Sequence, residues 1–212
     1  MSLDKVILSH PHSDHVGGVF SLLTKVRVDS IYLPAVKIPY FWQDSLLKIF
    51  KKKDVPYRFI QMGDQIKIDH LTRIYILAPT DQQLCPPDAS GKSLNNTSLV
   101  SLVRISGTSI LFTGDTESDI EANLLQWNTF LKADILKVGH HGSVTSSSPE
   151  FLRKISPKIA LIPVGKGNKF DHPSPEVIER FKALNISYYR TDLQAAIWLQ
   201  WVKSNWEIIN WN

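Results

Sequence analysis

The sequence predicts an α/β domain whose chemistry sits at the ends of its strands. Three observations carry that prediction. Short apolar runs that read as buried strands alternate with segments whose apolar residues recur at helical spacing. The residues with metal chemistry to offer fall where strands end, the usual place for sites in layered α/β folds. The chain of 212 residues makes one sizeable domain and is too short for two ordinary ones, so 1–212 reads as one unit.

Composition bounds the function. A hydrophobic share of 43% and a charged share of 21% are those of a globular protein. The single cysteine, Cys85, excludes an internal disulfide framework and a cysteine zinc cage. No stretch approaches the ~20 apolar residues of a membrane span. The N-terminus has no signal-peptide pattern, so the cytoplasm is the expected compartment. A net charge of +4 suits a polyanionic substrate without requiring one.

The first element is the run Val6-Ile7-Leu8, read as the end of a strand. It leads into Ser9-His10-Pro11-His12-Ser13-Asp14-His15-Val16-Gly17-Gly18, then into Val19 to Leu23, read as the start of a helix. Three histidines and an aspartate within six residues are ligands for zinc, iron or manganese. Extended residues alternate in direction, so His10 and His12 can share one metal. Asp14 and His15 follow at the bend and can serve a second.

Ser30 to Leu33 reads as a strand, and Phe41 to Lys53 as a helix with Trp42 and Phe50 in the core. Lys51 to Lys53 suit its C-terminus. Tyr57 to Ile60, Gln65 to Ile68 and Arg73 to Leu77 read as strands. Thr80 to Asn96 reads as a long polar loop of the kind that is often functional. Leu99 to Ile105 and Thr108 to Phe112 form a hairpin through Ser106-Gly107. Asp115 follows Gly114 at the end of that strand, well placed to bridge two metals. Glu117 to Trp127 reads as a helix and Ala133 to Val138 as a strand ending at Gly139-His140-His141-Gly142-Ser143. Backbone N–H groups at Gly142 and Ser143 can receive an anion. Ser148-Pro149-Glu150 and Ser174-Pro175-Glu176 are helix starts, each a serine cap followed by proline. Between them run the strand Lys158 to Pro163 and the basic loop Gly165 to Lys169, where Lys166 and Lys169 can contact phosphate. Ile186 to Arg190, Ala195 to Val202 and Trp206 to Ile209 read as closing strands. Trp198, Trp201, Trp206 and Trp211 read as packing residues.

His-x-His-x-Asp-His followed by Gly-Gly resembles the signature of the metallo-β-lactamase superfamily. Asn95 to Val100, Leu111 to Asp115, Val138 to Ser143 and Asp171-His172-Pro173 narrow the likeness. They resemble the soluble hydrolase domain of the ComEC family of DNA-uptake competence proteins and its free-standing relatives. The resemblance implies a four-layer αββα sandwich. It also implies strands ahead of the histidine motif, which the nine residues before His10 do not supply, so the first N-terminal strands are expected to be lacking. If the chain is part of a larger competence protein, the alternative compartment is the extracytoplasmic face of the membrane.

The same resemblance implies a dinuclear centre of zinc or manganese. His10 and His12 hold one ion, Asp14 and His15 the other, Asp115 bridges, and His140 completes the set. His141 then stands behind or faces substrate, although the two can be exchanged. Asn95 stands where many members carry a histidine ligand, and it either faces the site or only shapes its turn. Ser143 and Asn168 are placed toward substrate. His172 is a further ligand or the group that protonates a leaving oxygen. Asp14, His141 and His172 are the expected catalytic groups, with Glu117 or Glu121 supporting from behind. Paired cations activate water and steady charge on attacking and leaving oxygens. The expected activity is a phosphodiesterase or nuclease acting on a phosphodiester, DNA included. An amide, lactam or thioester hydrolase and an inactive metal-binding module are the alternatives.

Overall fold

In the computed structural model, residues 1–209 are described. The chain opens with β1 (Ser2–Leu3), β2 (Val6–Ile7) and the helix α1 (Ser13–Lys25). Then come β3 (Arg27–Val28), β4 (Ile31–Leu33), α2 (Phe41–Lys52) and β5 (Tyr57–Phe59). β2, β4 and β5 form a parallel three-stranded sheet in the order β2-β4-β5, with Val6 opposite Ile31 and Ile31 opposite Tyr57. β1 and β3 pair separately.

A larger sheet follows. Its strands are β6 (Gln65–Lys67), β7 (Thr72–Ala78), β8 (Val100–Ile105), β9 (Thr108–Phe112), β10 (Ile135–Lys137), β11 (Ile159–Ile162) and β12 (Ser187–Arg190). They lie side by side in sequence order, antiparallel from β6 to β9 and parallel from β9 to β12. The parallel crossovers carry α4 (Ser118–Leu124), α5 (Pro149–Ile155) and α6 (Pro175–Ala183), after a short α3 (Gly91–Asn95) ahead of β8. α7 (Thr191–Gln194) and the hairpin of β13 (Trp198–Val202) and β14 (Asn205–Ile209) close the chain.

Strand alternation sorts the apolar residues into three cores that separate four layers. On β7, Leu77 faces α4, α5 and α6, while Ile74 and Ile76 face the smaller sheet. On β8, Leu102 and Val103 divide the same way. The smaller sheet contributes Ile7 and Tyr32 to the layer between the sheets. Its other face meets α1 and α2 through Val16, Val19, Leu23, Leu46 and Phe50. The order helix, sheet, sheet, helix is the expected αββα sandwich. No described helix is long and apolar enough to cross a membrane.

Several boundaries differ from the sequence reading. α1 begins at Ser13, so Asp14 and His15 belong to its first turn rather than to a bend before it. The loop from Thr80 contains α3, capped by the Ser90 hydroxyl, which accepts from Ser93 N at 3.4 Å. Five residues are too few to show a period. The helix expected to reach Trp127 ends at Leu124 and continues as 3-10 turns to Leu131, broken at Asn128 with φ of 48°. Thr191 to Gln194 forms a single helical turn. Trp201 and Trp206 pack with ring centres 5.1 Å apart, and the Trp206 indole donates to Thr108 Oγ1 at 2.7 Å. Trp198 is about half exposed. Trp211 lies outside the described residues.

Candidate metal centre

Three chain ends converge at one edge between the sheets. The first runs from β2 through Ser9 to the start of α1. His10 and His12 precede the helix in extended backbone, and Asp14 enters its first turn, where an acid suits the positive end of the dipole. The second follows β9. Gly114 has φ of +55°, and a Cβ there would lie 2.6 Å from the Ser98 Cβ. That close approach lets Ser98 Oγ accept from Asp115 N at 3.0 Å and fixes the aspartate. The third follows β10, where His140 (φ 45°, ψ 47°) and His141 (φ 53°, ψ 19°) are consecutive left-handed residues. L-residues pay about 1–2 kcal/mol each for that conformation. Strain of this kind collects at functional sites when the surroundings enforce it.

The surroundings do enforce it. The buried Glu121 carboxylate accepts from Ser147 N and from Ser148 N, the latter at 2.8 Å. Arg180 donates to Ser146 O at 2.8 Å and Ser147 O at 3.1 Å. The Ser146 hydroxyl donates to Gly139 O at 2.8 Å. At Gly142 (φ +83°) a Cβ would fall 2.5 Å from the Pro173 Cβ, so glycine lets the turn seat against that proline.

At the convergence, one ligand atom each from Asp14, His15, Asp115 and His141 lies within 4.8 Å of the others. His15 Nε2 is 3.2 Å from Asp115 Oδ2 and 3.5 Å from Asp14 Oδ2. His141 Nε2 is 3.4 Å from each of the same two oxygens. The far side of the His141 ring decides its role. Nδ1 sits 2.7 Å from the Pro163 carbonyl, which can only accept, so Nδ1 carries a proton. In the neutral ring Nε2 is then a lone pair aimed at two carboxylates. Acceptors converging on one point call for a cation, or for a proton in its place. In the metal-free protein the Asp115 and Asp14 carboxylates push His141 up to about 10. Hydrogen bonding from His141 in turn pulls Asp14 down to about 2. Burial alone would raise Asp115, but His141, His15 and the Lys137 charge outweigh it and hold the carboxyl far below its usual range.

The other half of the site is built from His10, His12, Asn95, Glu117, His140 and His172. His10 Nε2 and His12 Nδ1 face each other at 2.9 Å, so the two rings do share a point. His140 is placed differently from His141. The Asn95 amide nitrogen donates to Glu117 Oε1 at 3.2 Å and stands 3.4 Å from His140 Nε2, covering that lone pair. His140 Nδ1 looks at Glu117 Oε1 from 3.7 Å. Of the two rings expected to compete for the cation, the geometry therefore brings His141 into the carboxylate group and sets His140 against Asn95 and Glu117. Burial lowers His10, His12 and His140. Burial also lowers His172, helped by His140 and His141 beside it. Among the described residues, buried His140 Nδ1, His172 Nδ1 and Asp115 Oδ1 have no hydrogen-bond partner, which fits ligand atoms open to ions or substrate.

A cleft of about 510 Å³ opens over this floor, lined by His12, Asp14, Asn95, Asp115, His140, His141 and His172, with Lys92, Lys169 and Phe170 at the rim. Two residues expected at substrate are placed elsewhere. Ser143 is buried at 5% exposure, its hydroxyl 3.0 Å from Thr145 Oγ1, and it closes the turn after His141. Asn168 accepts from His172 N at 3.0 Å and donates to His172 O at 2.8 Å, so it holds the loop that carries His172. Lys166 is exposed and outside the cleft lining.

The sequence reading passed over two residues that touch the floor. Ser9 Oγ lies 3.2 Å from His10 Nδ1 and 3.0 Å from His15 Nδ1, so one hydroxyl orients a ring in each half. Lys137 donates to Gly114 O at 2.7 Å and stands 3.5 Å from Asp115 Oδ1. Its signal was available: a lysine inside the apolar run from Ile135 to Val138, on the face opposite Leu136.

Residues 2–166 match the metallo-beta-lactamase superfamily. ComE operon protein 3 of Bacillus subtilis (strain 168) is 33% identical over 195 residues, which cover 92% of this chain and 24% of that protein. Competence protein ComA of Neisseria gonorrhoeae is 31% identical over 199 residues, covering 92% of this chain and 25% of that protein. The chain thus spans about a quarter of the length of these relatives. CmlA, a diiron beta-hydroxylase from Streptomyces venezuelae, superposes with a TM-score of 0.61 over 89% of this chain and 44% of that one at 10% identity, a likeness of fold alone.

Proposed function

Since the chain belongs to the metallo-beta-lactamase superfamily, we propose that it is a metal-dependent hydrolase acting on phosphodiesters, DNA among them. The observation that carries the reading is the convergence of His141 Nε2, His15 Nε2 and the Asp14 and Asp115 oxygens on one point, with Pro163 fixing the His141 tautomer. His141, His15 and Asp14 would hold one divalent ion, zinc or manganese, with Asp115 between the two halves. His10 and His12 would hold the second, with Asn95 standing where a stronger ligand would otherwise be. Ions bound there supply Lewis acidity toward water and toward a phosphoryl oxygen.

The chain's own groups do the rest. Lys137, anchored on Gly114 O, places its charge 3.5 Å from Asp115 Oδ1. Ser9 orients His10 and His15 together. His172 lines the cleft, where its ring can take or give a proton at a leaving oxygen. Lys92 and Lys169 at the rim suit a substrate that stays anionic. The phosphodiester assignment draws on the competence relatives, whose names concern competence and not a bond type.

The test is turnover of bis(p-nitrophenyl) phosphate and a single-stranded oligonucleotide by folded protein loaded with manganese or zinc. The reading expects metal-dependent hydrolysis that Asp115→Asn abolishes. Hydrolysis of a thioester or lactam with phosphodiesters untouched would move the bond assignment. Bound metal without turnover of any substrate would leave a binding module.

A further inference from the structure

Phe170 stands out on the rim of the cleft. It is 66% exposed. It stands at the mouth of the metal cleft and lines it beside His172. The two rings are stacked, with centres 5.8 Å apart and planes 21° from parallel. The loop is not slack at this point. Asn168 Oδ1 accepts from Phe170 N at 3.2 Å and from His172 N at 3.0 Å, so one side chain fixes both rings relative to the floor. Lys169 Nζ lies 5.1 Å from the Phe170 ring centre, a cation beside an aromatic face. Lys92 stands on the same cleft wall, 60% exposed and paired with the equally exposed Asp119. An exposed pair of that kind holds its lysine weakly.

We propose that Phe170 is a stacking platform for an unpaired nucleobase flanking the scissile phosphate, with Lys169 and Lys92 meeting the phosphates on either side. The proposal rests on the phosphodiester reading and narrows it to single-stranded nucleic acid. A π face accepts any base, and lysines accept any backbone, so recognition is of unpaired strand and not of sequence. A duplex keeps its bases stacked on each other and offers no face to Phe170. Residues deeper in the cleft need no change. The platform sets which phosphodiester is held over the floor.

The experiment compares two strands of equal length and equal phosphate count, oligothymidylate and an abasic analogue, with manganese-loaded protein and its Phe170→Ala and Phe170→Trp variants. The proposal expects the parent to favour the base-bearing strand through KM. Phe170→Ala should raise KM for that strand about tenfold and level the two strands. Phe170→Trp should keep the preference. Equal KM for both strands in the parent, or an equal rise for both in Phe170→Ala, overturns the proposal. So does hydrolysis of bis(p-nitrophenyl) phosphate with neither strand cut, which leaves the phosphodiester reading standing. Failure to hydrolyse any of the three overturns both.

Discussion

Binding of the first cation should expel a proton from one identifiable nitrogen. In the metal-free protein both ring nitrogens of His141 are protonated near pH 8: Nδ1 donates to Pro163 O, and Nε2 faces Asp14 and Asp115. The carboxylates raise this ring to about 10. His10, His12 and His140 are lowered by burial and arrive at that pH already neutral. A cation taking Nε2 therefore displaces about one proton from these rings, and log affinity rises by about one per pH unit until the ring titrates. Calorimetry at pH 8 in two buffers of different ionisation enthalpy reads that count. His141→Ala should release about one proton fewer than the parent, and His140→Ala should release the parent's number. Equal release from the parent and His141→Ala would refute the assignment of His141. The sign for folding follows from the same shift. A raised value means that protonated His141 stabilises the metal-free protein fully below its unfolded value of 6.5, and that this is lost as pH climbs through about 10. The Tm of metal-free protein should fall across that window, and the fall should be absent in His141→Ala.

Three further substitutions test the supports. Lys137→Met removes the cation beside Asp115 and should lower metal affinity about 10–100-fold, measured by competition with a chromophoric chelator. Gly114→Ala forces a Cβ to 2.6 Å from the Ser98 Cβ at a φ of +55°, so overpacking and strain together should cost about 2–4 kcal/mol in urea unfolding. Glu121→Ala leaves Ser147 N and Ser148 N without their charged acceptor and should cost about 3 kcal/mol by the same measurement.

Much of the molecule can be read from the sequence because periodicity and ligand spacing are local signals. The strands of the larger sheet read as short apolar runs because both faces are covered, as Leu102 and Val103 show, and the two serine-proline helix starts cap where expected. The histidine motif marks the candidate centre because four ligand-type residues in six have no ordinary structural use. What stays hidden depends on backbone that only the folded surroundings enforce. His140 and His141 are adjacent and chemically identical. Which ring reaches the carboxylates is set by two left-handed residues held by Glu121 and Arg180 contacts from α4 and α6. Ser143 and Asn168 have the right chemistry for substrate, but their polar atoms are already taken by Thr145 and by the His172 backbone. Ser9 acts through the rings it orients, and such a role leaves no motif.

The most direct test of the proposed dinuclear centre is the metal content of protein purified without chelator, by elemental analysis, beside a His12→Ala, Asp115→Ala double variant. The proposed function expects close to two ions per chain in the parent and few in the variant. A folded parent with almost none, or a variant that holds as much as the parent, would contradict it.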